Sequence, residues 1–316
     1  MKTTNLFAIL LAALAANIFS APAWGDTFGS GLNTFNIDFV NIGNPGNAAD
    51  TTGDPNPAGK VDYFYRIGTY EISEDMITKA NTLGGLGITK DARGADKPAT
   101  SVCWDEAARF VNWLNTSKGF SPAYKFAQQP GDNGYFADAF IQLWTPSDAG
   151  YNPNNLYRNS QAHYFLPSVD EWYKAAFYDP ASGMYYDYPT GSNSAPTPVA
   201  SGTATGTAVY GAQTGPANIT LAGGLSPYGT MGQGGNVYER DETDYDLVND
   251  SSTSDRGVRG GYWSNDQSNM VAQIRGAGIG TSTSNFIGFR VASVPEPSSL
   301  LLAAMASVGL LLRIKR

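Results

Sequence analysis

Glycine and proline together supply 54 of the 316 residues, 36 and 18 respectively, and that density limits how much of the chain regular elements can hold. Glycine loses the most backbone entropy inside a helix or strand, and proline lacks the N–H that both ladders need. The 18 Tyr, 15 Phe and 6 Trp argue equally against disorder, because side chains of that size bury enough apolar surface to offset the ordering of loops. One irregular, loop-heavy globular domain is the expectation.

The two ends read as targeting segments. Lys2, an apolar run from Leu6 to Ala16 and small residues closing on Ala21-Pro22-Ala23 form the three-part pattern of a secretion signal, with cleavage by signal peptidase expected after Ala23. No polar residue interrupts Phe7 to Ala16, so an amphipathic buried helix is not written there. At the other end, Val294-Pro295-Glu296-Pro297 leads into an apolar stretch from Leu300 to Leu312, then Arg313-Ile314-Lys315-Arg316. That stretch is shorter than the roughly 20 residues that span a bilayer core. The basic cluster behind it belongs on the cytoplasmic side. Pro295, Glu296 and Pro297, the short transmembrane helix and the basic terminus resemble the PEP-CTERM sorting signal. The resemblance implies transient anchoring in the inner membrane and removal of the tail by an exosortase, although an ordinary membrane anchor gives nearly the same topology. The division expected is a signal peptide over 1–23, one domain over 24–293 and a sorting tail over 294–316, with the product at the cell surface or in the extracellular matrix.

Without the two ends, 16 basic face 27 acidic side chains, a net charge of −11 against −8 for the whole chain. Nucleic acid needs a basic face and is not an expected partner. A single cysteine, Cys103, excludes an internal disulfide and any multi-thiolate zinc site. With His163 the only histidine, the remaining metal chemistry is that of hard cations on oxygen ligands.

Alternation predicts strands over Phe35–Val40 and Tyr63–Gly68. A short helix is expected from Ser73, with Met76, Ile77 and Ala80 on one face. Ala107, Phe110, Val111 and Leu114 fall at helical spacing behind an acidic first turn of Asp105 and Glu106, which puts Cys103 at the N-cap. Ser168 and Glu171 form a capping box that opens a third helix through Trp172 and Ala176. From Gly183 to Gly235 the expectation is ordered loops pinned by tyrosines, and Arg259–Trp263 and Gly288–Ala292 read as strands. Asp241, Asp244, Asp246, Asp250 and Asp255 read as a solvated acidic loop.

Taken in order, these pieces resemble the sulfatase-modifying-factor family, whose founding member is the formylglycine-generating enzyme. The blocks are Ile67–Ser73, Ser101–Ala107 through Asn112-Trp113-Leu114, Phe165-Leu166-Pro167-Ser168 through Trp172, Ser226-Pro227-Tyr228-Gly229 through Gly235–Glu239, Arg259–Trp263 and Gly288-Phe289-Arg290. They span residues 60 to 293, and the resemblance implies an irregular, loop-rich α+β fold related to C-type lectins.

The family's oxidase binds copper through two cysteines. Keeping the register of Arg259-Gly260-Gly261, the matching positions are Asn265 and Met270, neither a thiolate, so copper is not expected. Cys103 is either a thiol in the place of a serine cap or one activated by the helix N-terminus, and His163 is either a half-buried strand residue or a general base. No Gly-x-Ser-x-Gly elbow marks a serine nucleophile. The resemblance further implies a calcium site on Asn218, Ile219, Asn236, Val237 and Glu239. The alternative is that Asn236 and Glu239 only hydrogen-bond within a Gly-rich turn. The expected function is therefore binding, of exopolysaccharide or another surface protein, on a formylglycine-generating-enzyme-like scaffold. The alternative is an oxidoreductase or other enzyme of this family acting on extracellular protein.

Overall fold

Capping side chains set where the three main helices start. In the computed structural model, which describes residues 25–294, Ser73 accepts a hydrogen bond from the Met76 N–H and opens helix α1 (Glu74–Gly84), which stops at Gly85 in a left-handed conformation with φ 62°. Helix α2 (Trp104–Ser117) opens with a full capping box in which Cys103 Sγ accepts from Glu106 N and Glu106 accepts from Cys103 N. Helix α3 (Val169–Phe177) opens with the Ser168/Glu171 box. Serine caps such as Ser73 and Ser168 contribute about 1 kcal/mol each. Ala23 and the sorting residues Pro295, Glu296 and Pro297 lie outside the described residues. Among the described residues no helix is long and apolar enough to cross a membrane.

Two four-stranded sheets carry most of the pairing. The first joins β1 (Phe39–Ile42), β2 (Tyr65–Gly68), β3 (Tyr164–Phe165) and a last strand, Ala292–Ser293, in the order β1, β2, last strand, β3, all antiparallel. The second contains β4 (Tyr238–Asp244), β5 (Asp255–Arg259), β6 (Gly276–Ile279) and β7 (Ile287–Gly288) in the order β6-β5-β4-β7, with β4 and β7 parallel. The last strand is β8 (Ala292–Ser293). Helix α2 packs on the first sheet, and its buried face of Trp104, Ala107, Phe110, Val111 and Leu114 fills the main core with Phe39, Ile67, Phe165 and Phe289.

Several expectations change in detail. The strand read over Phe35–Val40 divides at Asp38: Phe35–Ile37 pairs with Asp26–Phe28, and Phe39 begins β1 in the main sheet. Alternation survives the break because Phe35, Ile37 and Phe39 all point inward, so periodicity alone could not reveal a change of pairing partner. The stretch from 183 to 235 is loop with two-residue strand pairs, and tyrosines do tie it down: Tyr185 Oη donates to Gly59 O at 2.7 Å and Tyr210 Oη to Pro196 O at 2.5 Å.

The acidic run is not a solvated loop throughout. Asp241 and Asp244 lie inside β4 and are buried, Asp241 against Arg275 at 3.3 Å and Asp244 receiving the Tyr157 hydroxyl at 3.0 Å. Only Asp246, Asp250 and Asp255 are exposed. The arginines beside the two buried carboxylates, Arg275 for Asp241 and Arg256 for Asp244, are brought in by the pairing of neighbouring strands and by packing, which local charge density does not show.

Candidate functional site

The two positions that the family pattern assigns to thiols are both occupied by structural side chains. Asn265 Oδ1 accepts from the Tyr262 N–H at 3.1 Å, and the Asn265 carbonyl accepts from Gly211 N at 2.8 Å. Met270 ends a 3-10 helix (Gln267–Met270), is fully buried and packs with Ala208, Tyr210 and Tyr188. An amide already spent on a turn and a neutral thioether in a core do not fit copper, which such a site holds through charged, soft thiolates.

Cys103 is the cap, not a free nucleophile. Its sulfur accepts from Glu106 N at 3.4 Å, and burial followed by the nearby Glu106 carboxylate pushes the thiol far above its ordinary value. A thiol held protonated does not attack at neutral pH. His163 sits one residue before β3 and is more deeply buried than the half-buried strand position expected, stacked on Phe120 at 4.5 Å between ring centroids. Arg66 Nη2 lies 3.4 Å from its Nε2, so that ring nitrogen faces a guanidinium inside the fold and not an open cleft.

The residues read for calcium fall into two separately satisfied groups. Asn236, with φ 56°, accepts from Ala217 N through Oδ1 at 2.8 Å and donates through Nδ2 to Glu71 Oε1 at 2.8 Å, so it does clip the segment just before Asn218 and Ile219. Ile219 N is spent on Asp96 O, and Val237 turns its side chain into a small core with Val209 and Trp263. Glu239 faces elsewhere: Oε2 accepts from Trp172 Nε1 at 2.7 Å and from Arg290 Nε at 2.5 Å, and Oε1 accepts from Arg290 Nη2. A calcium ion there would share its carboxylate with a buried guanidinium, so this donor set does not fit the ion. Among the described residues no group of three or more His, Cys, Asp or Glu side chains is disposed to hold a metal.

What these motif residues build is a buried junction. Arg290, wholly buried, also donates to Gly68 O and Met231 O at 2.8 and 2.9 Å, so one guanidinium ties three distant segments together. Glu71 enters the same junction and had no signal in the sequence beyond its place in a motif. Burial, and secondarily Glu239, pushes its carboxyl up to about 8, and its Oε2 is buried with no hydrogen-bond partner. Gly232 is required beside it, at φ 82°, because a Cβ there would fall 2.7 Å from Glu71 Oε1.

Beside Asn265, whose Oδ1 accepts from the Tyr262 N–H, lies a group of aromatic side chains. Tyr262 and Phe286 stack at 4.6 Å, Tyr238 lies 5.8 Å from Tyr262, and all three are half-exposed. Tyr238 Oη donates to Asn269 Oδ1 at 3.1 Å, and Arg93 lies over the Trp263 ring at 5.0 Å. Such a face offers flat apolar contact with polar tips.

Comparison with known proteins agrees with this fold. The family model described as the sulfatase-modifying factor enzyme 1-like domain matches residues 44–294, and the PEP-CTERM protein-sorting motif matches residues 293–316. No curated protein matches. Treponema denticola variable protein 1 is similar in structure with a TM-score of 0.57 at 16% identity, over 86% of this chain and 99% of its own. CarF is similar with a TM-score of 0.58 at 19% identity, over 82% and 99%. At these identities the likeness is one of fold. The sorting motif marks an exported protein directed to the cell surface by an exosortase-dependent route.

Proposed function

This chain belongs to the sulfatase-modifying factor enzyme 1-like family, and from that premise we propose that it binds a partner at the cell surface and does not oxidise cysteine. The observation that carries the proposal is the fate of the two thiol positions: Asn265 holds a turn and Met270 fills a core. Loss of one member of a cooperative catalytic unit costs nearly as much as loss of all. Cys103 supplies no replacement, because it is buried at the start of α2. The half-exposed Tyr238, Tyr262 and Phe286 form the contact face, and its partner is a saccharide or protein surface with flat apolar patches. Such contacts draw most of their energy from a few aromatic anchors.

The test incubates the purified domain with copper, oxygen and a cysteine-containing sulfatase peptide, and reads formylglycine by mass spectrometry. No product is expected, and multiple turnovers would restore the oxidase reading. In the producing cells, intact mass is expected to show a chain lacking both residues 1–23 and the apolar tail. A mass that retains Met1–Ala23 and Leu300–Arg316 would overturn that processing.

A further inference from the structure

The β4–β5 hairpin turns apolar side chains toward solvent. At its tip Tyr245, Leu247 and Val248 are 46, 47 and 52% exposed, and Ile274 is 42% exposed. Ile274 joins the same patch, because the next residue, Arg275, donates through Nη1 to Tyr245 O at 2.8 Å and holds its guanidinium 5.3 Å from the Tyr245 ring centroid. Exposed apolar residues scattered singly need no explanation, but a group of them rimmed by polar residues marks a contact surface. Here the rim is acidic. Asp246, Asp250 and Asp255 are exposed, and no Lys or Arg occurs from Asp244 to Asp255. The ion pairs beneath, Arg256 with Asp244 and Arg275 with Asp241, are buried and do not include these three.

The backbone is held in the shape that points these side chains outward. Leu247 has φ 72°, in the left-handed region that glycine and asparagine enter readily and a large apolar residue rarely does. Hydrogen bonds fix the turn around it. Leu247 N donates to Asp244 O at 2.9 Å and Val248 N to Asp246 Oδ1 at 2.9 Å, while Asn249 accepts from Asp244 N and donates to Asn155 Oδ1, each at 2.9 Å. A residue in a sparsely populated conformation persists only where its surroundings determine it, and such residues gather at working surfaces. Leucine serves neither the backbone nor solubility at this point, whereas glycine would suit both.

We infer that the tip of the β4–β5 hairpin is a docking surface for a basic, apolar protein segment, which sets apolar side chains against Tyr245, Leu247, Val248 and Ile274 and lysines or arginines against Asp246, Asp250 and Asp255. Charge decides the occupant. A second copy of this chain brings a net charge of −8 and the same acidic rim, and an anionic polysaccharide or lipid is repelled in the same way. A neutral bilayer that took up the apolar tip would draw carboxylates out of water. A basic segment gives them partners instead. Four apolar side chains make a small, transient contact rather than a permanent interface, and its strength rests on those few anchors. Tyr238 and Asp244 stand at opposite ends of β4, about 20 Å apart along the strand. The tip and the Tyr238–Phe286 face are therefore separate surfaces, and the inference does not depend on that face.

The test titrates the purified protein with a synthetic peptide of alternating leucine and lysine, following the Leu247 and Val248 methyl signals by NMR, with leucine–glutamate and serine–lysine peptides as controls. The leucine–lysine peptide is expected to shift both signals saturably, the serine–lysine peptide to bind more weakly, and the leucine–glutamate peptide to shift neither. Leu247→Gly, read at Val248, should weaken binding by about tenfold. Its melting temperature should stay at or above that of wild type, because glycine takes φ 72° without strain. Asp250→Asn should weaken binding at low salt and have less effect at high salt. The docking surface is overturned by the absence of a saturable shift up to the solubility limit of the leucine–lysine peptide, by equal binding of the Leu247→Gly protein, or by a Leu247→Gly protein that melts below wild type. Self-association in sedimentation equilibrium, or binding to phosphatidylcholine vesicles, that disappears in Leu247→Gly would name a different occupant and overturn it as well. All of these outcomes leave the formylglycine assay and the Tyr238–Phe286 face unaffected.

Discussion

Arg290→Met is expected to lose about 3–5 kcal/mol of unfolding free energy, because it leaves a buried carboxylate without its counter-ion. Glu239 would keep only the Trp172 N–H, and the carbonyls of Gly68 and Met231 would lose a donor each. Against a total of about 5–15 kcal/mol for a domain, that loss separates a folded protein from a marginal one. The double variant Glu239→Gln/Arg290→Met removes both charges and should recover a substantial part of the loss. Urea unfolding of wild type, the singles and the double closes the cycle. A single Arg290→Met variant within 1 kcal/mol of wild type, a difference typical of surface changes, would show that the junction does not hold the segments together.

Glu71→Gln is expected to change how stability depends on pH. A carboxyl whose folded value is raised to about 8 keeps its proton while the unfolded chain, at its ordinary value near 4.5, has already lost it. Between those two values the folded state binds more protons, so this group lowers stability as pH rises through the window and has no further effect above it. The neighbours that fix the direction are burial and Glu239, which raise the value, against Arg290 and the Asn236 amide, which lower it. Summed over the window, the contribution is on the order of 3–5 kcal/mol. The glutamine variant fills the same space and does not titrate, so its stability should fall less than that of wild type between pH 5 and 8. Melting of both proteins across that range reads the difference, and parallel curves would mean that Glu71 ionises in the fold as it does in water.

The contrast between Glu71 and Cys103 shows how far local sequence reaches. Cys103 was legible because a cap depends on residues three apart: the acidic first turn and the following apolar spacing mark its place, and the structure puts it there. Ser73 and Ser168 were legible for the same reason. Glu71 carries no such local signature, since its state is set by Asn236, Glu239 and Arg290, at least 165 positions away in the chain. The Asp241–Asp255 run failed in the same way. Its two buried members are neutralised by residues that arrive through β-pairing and loop packing.

For the functional positions, sequence alone determined which side chains are on hand: Cys103 is the single thiol, and no fold can turn the Asn265 amide or the Met270 thioether into a thiolate. It also determined the sorting motif over 293–316, which acts as a linear segment and needs no tertiary partner. Tertiary structure alone decided what the motif residues do instead. Glu239 and Asn236 are plausible cation ligands as isolated residue types, but hydrogen-bond capacity is finite, and the fold spends theirs on Arg290, Trp172, Ala217 and Glu71. A site built from segments brought together by packing has no spacing to read, whereas a cap or a sorting tail is its spacing.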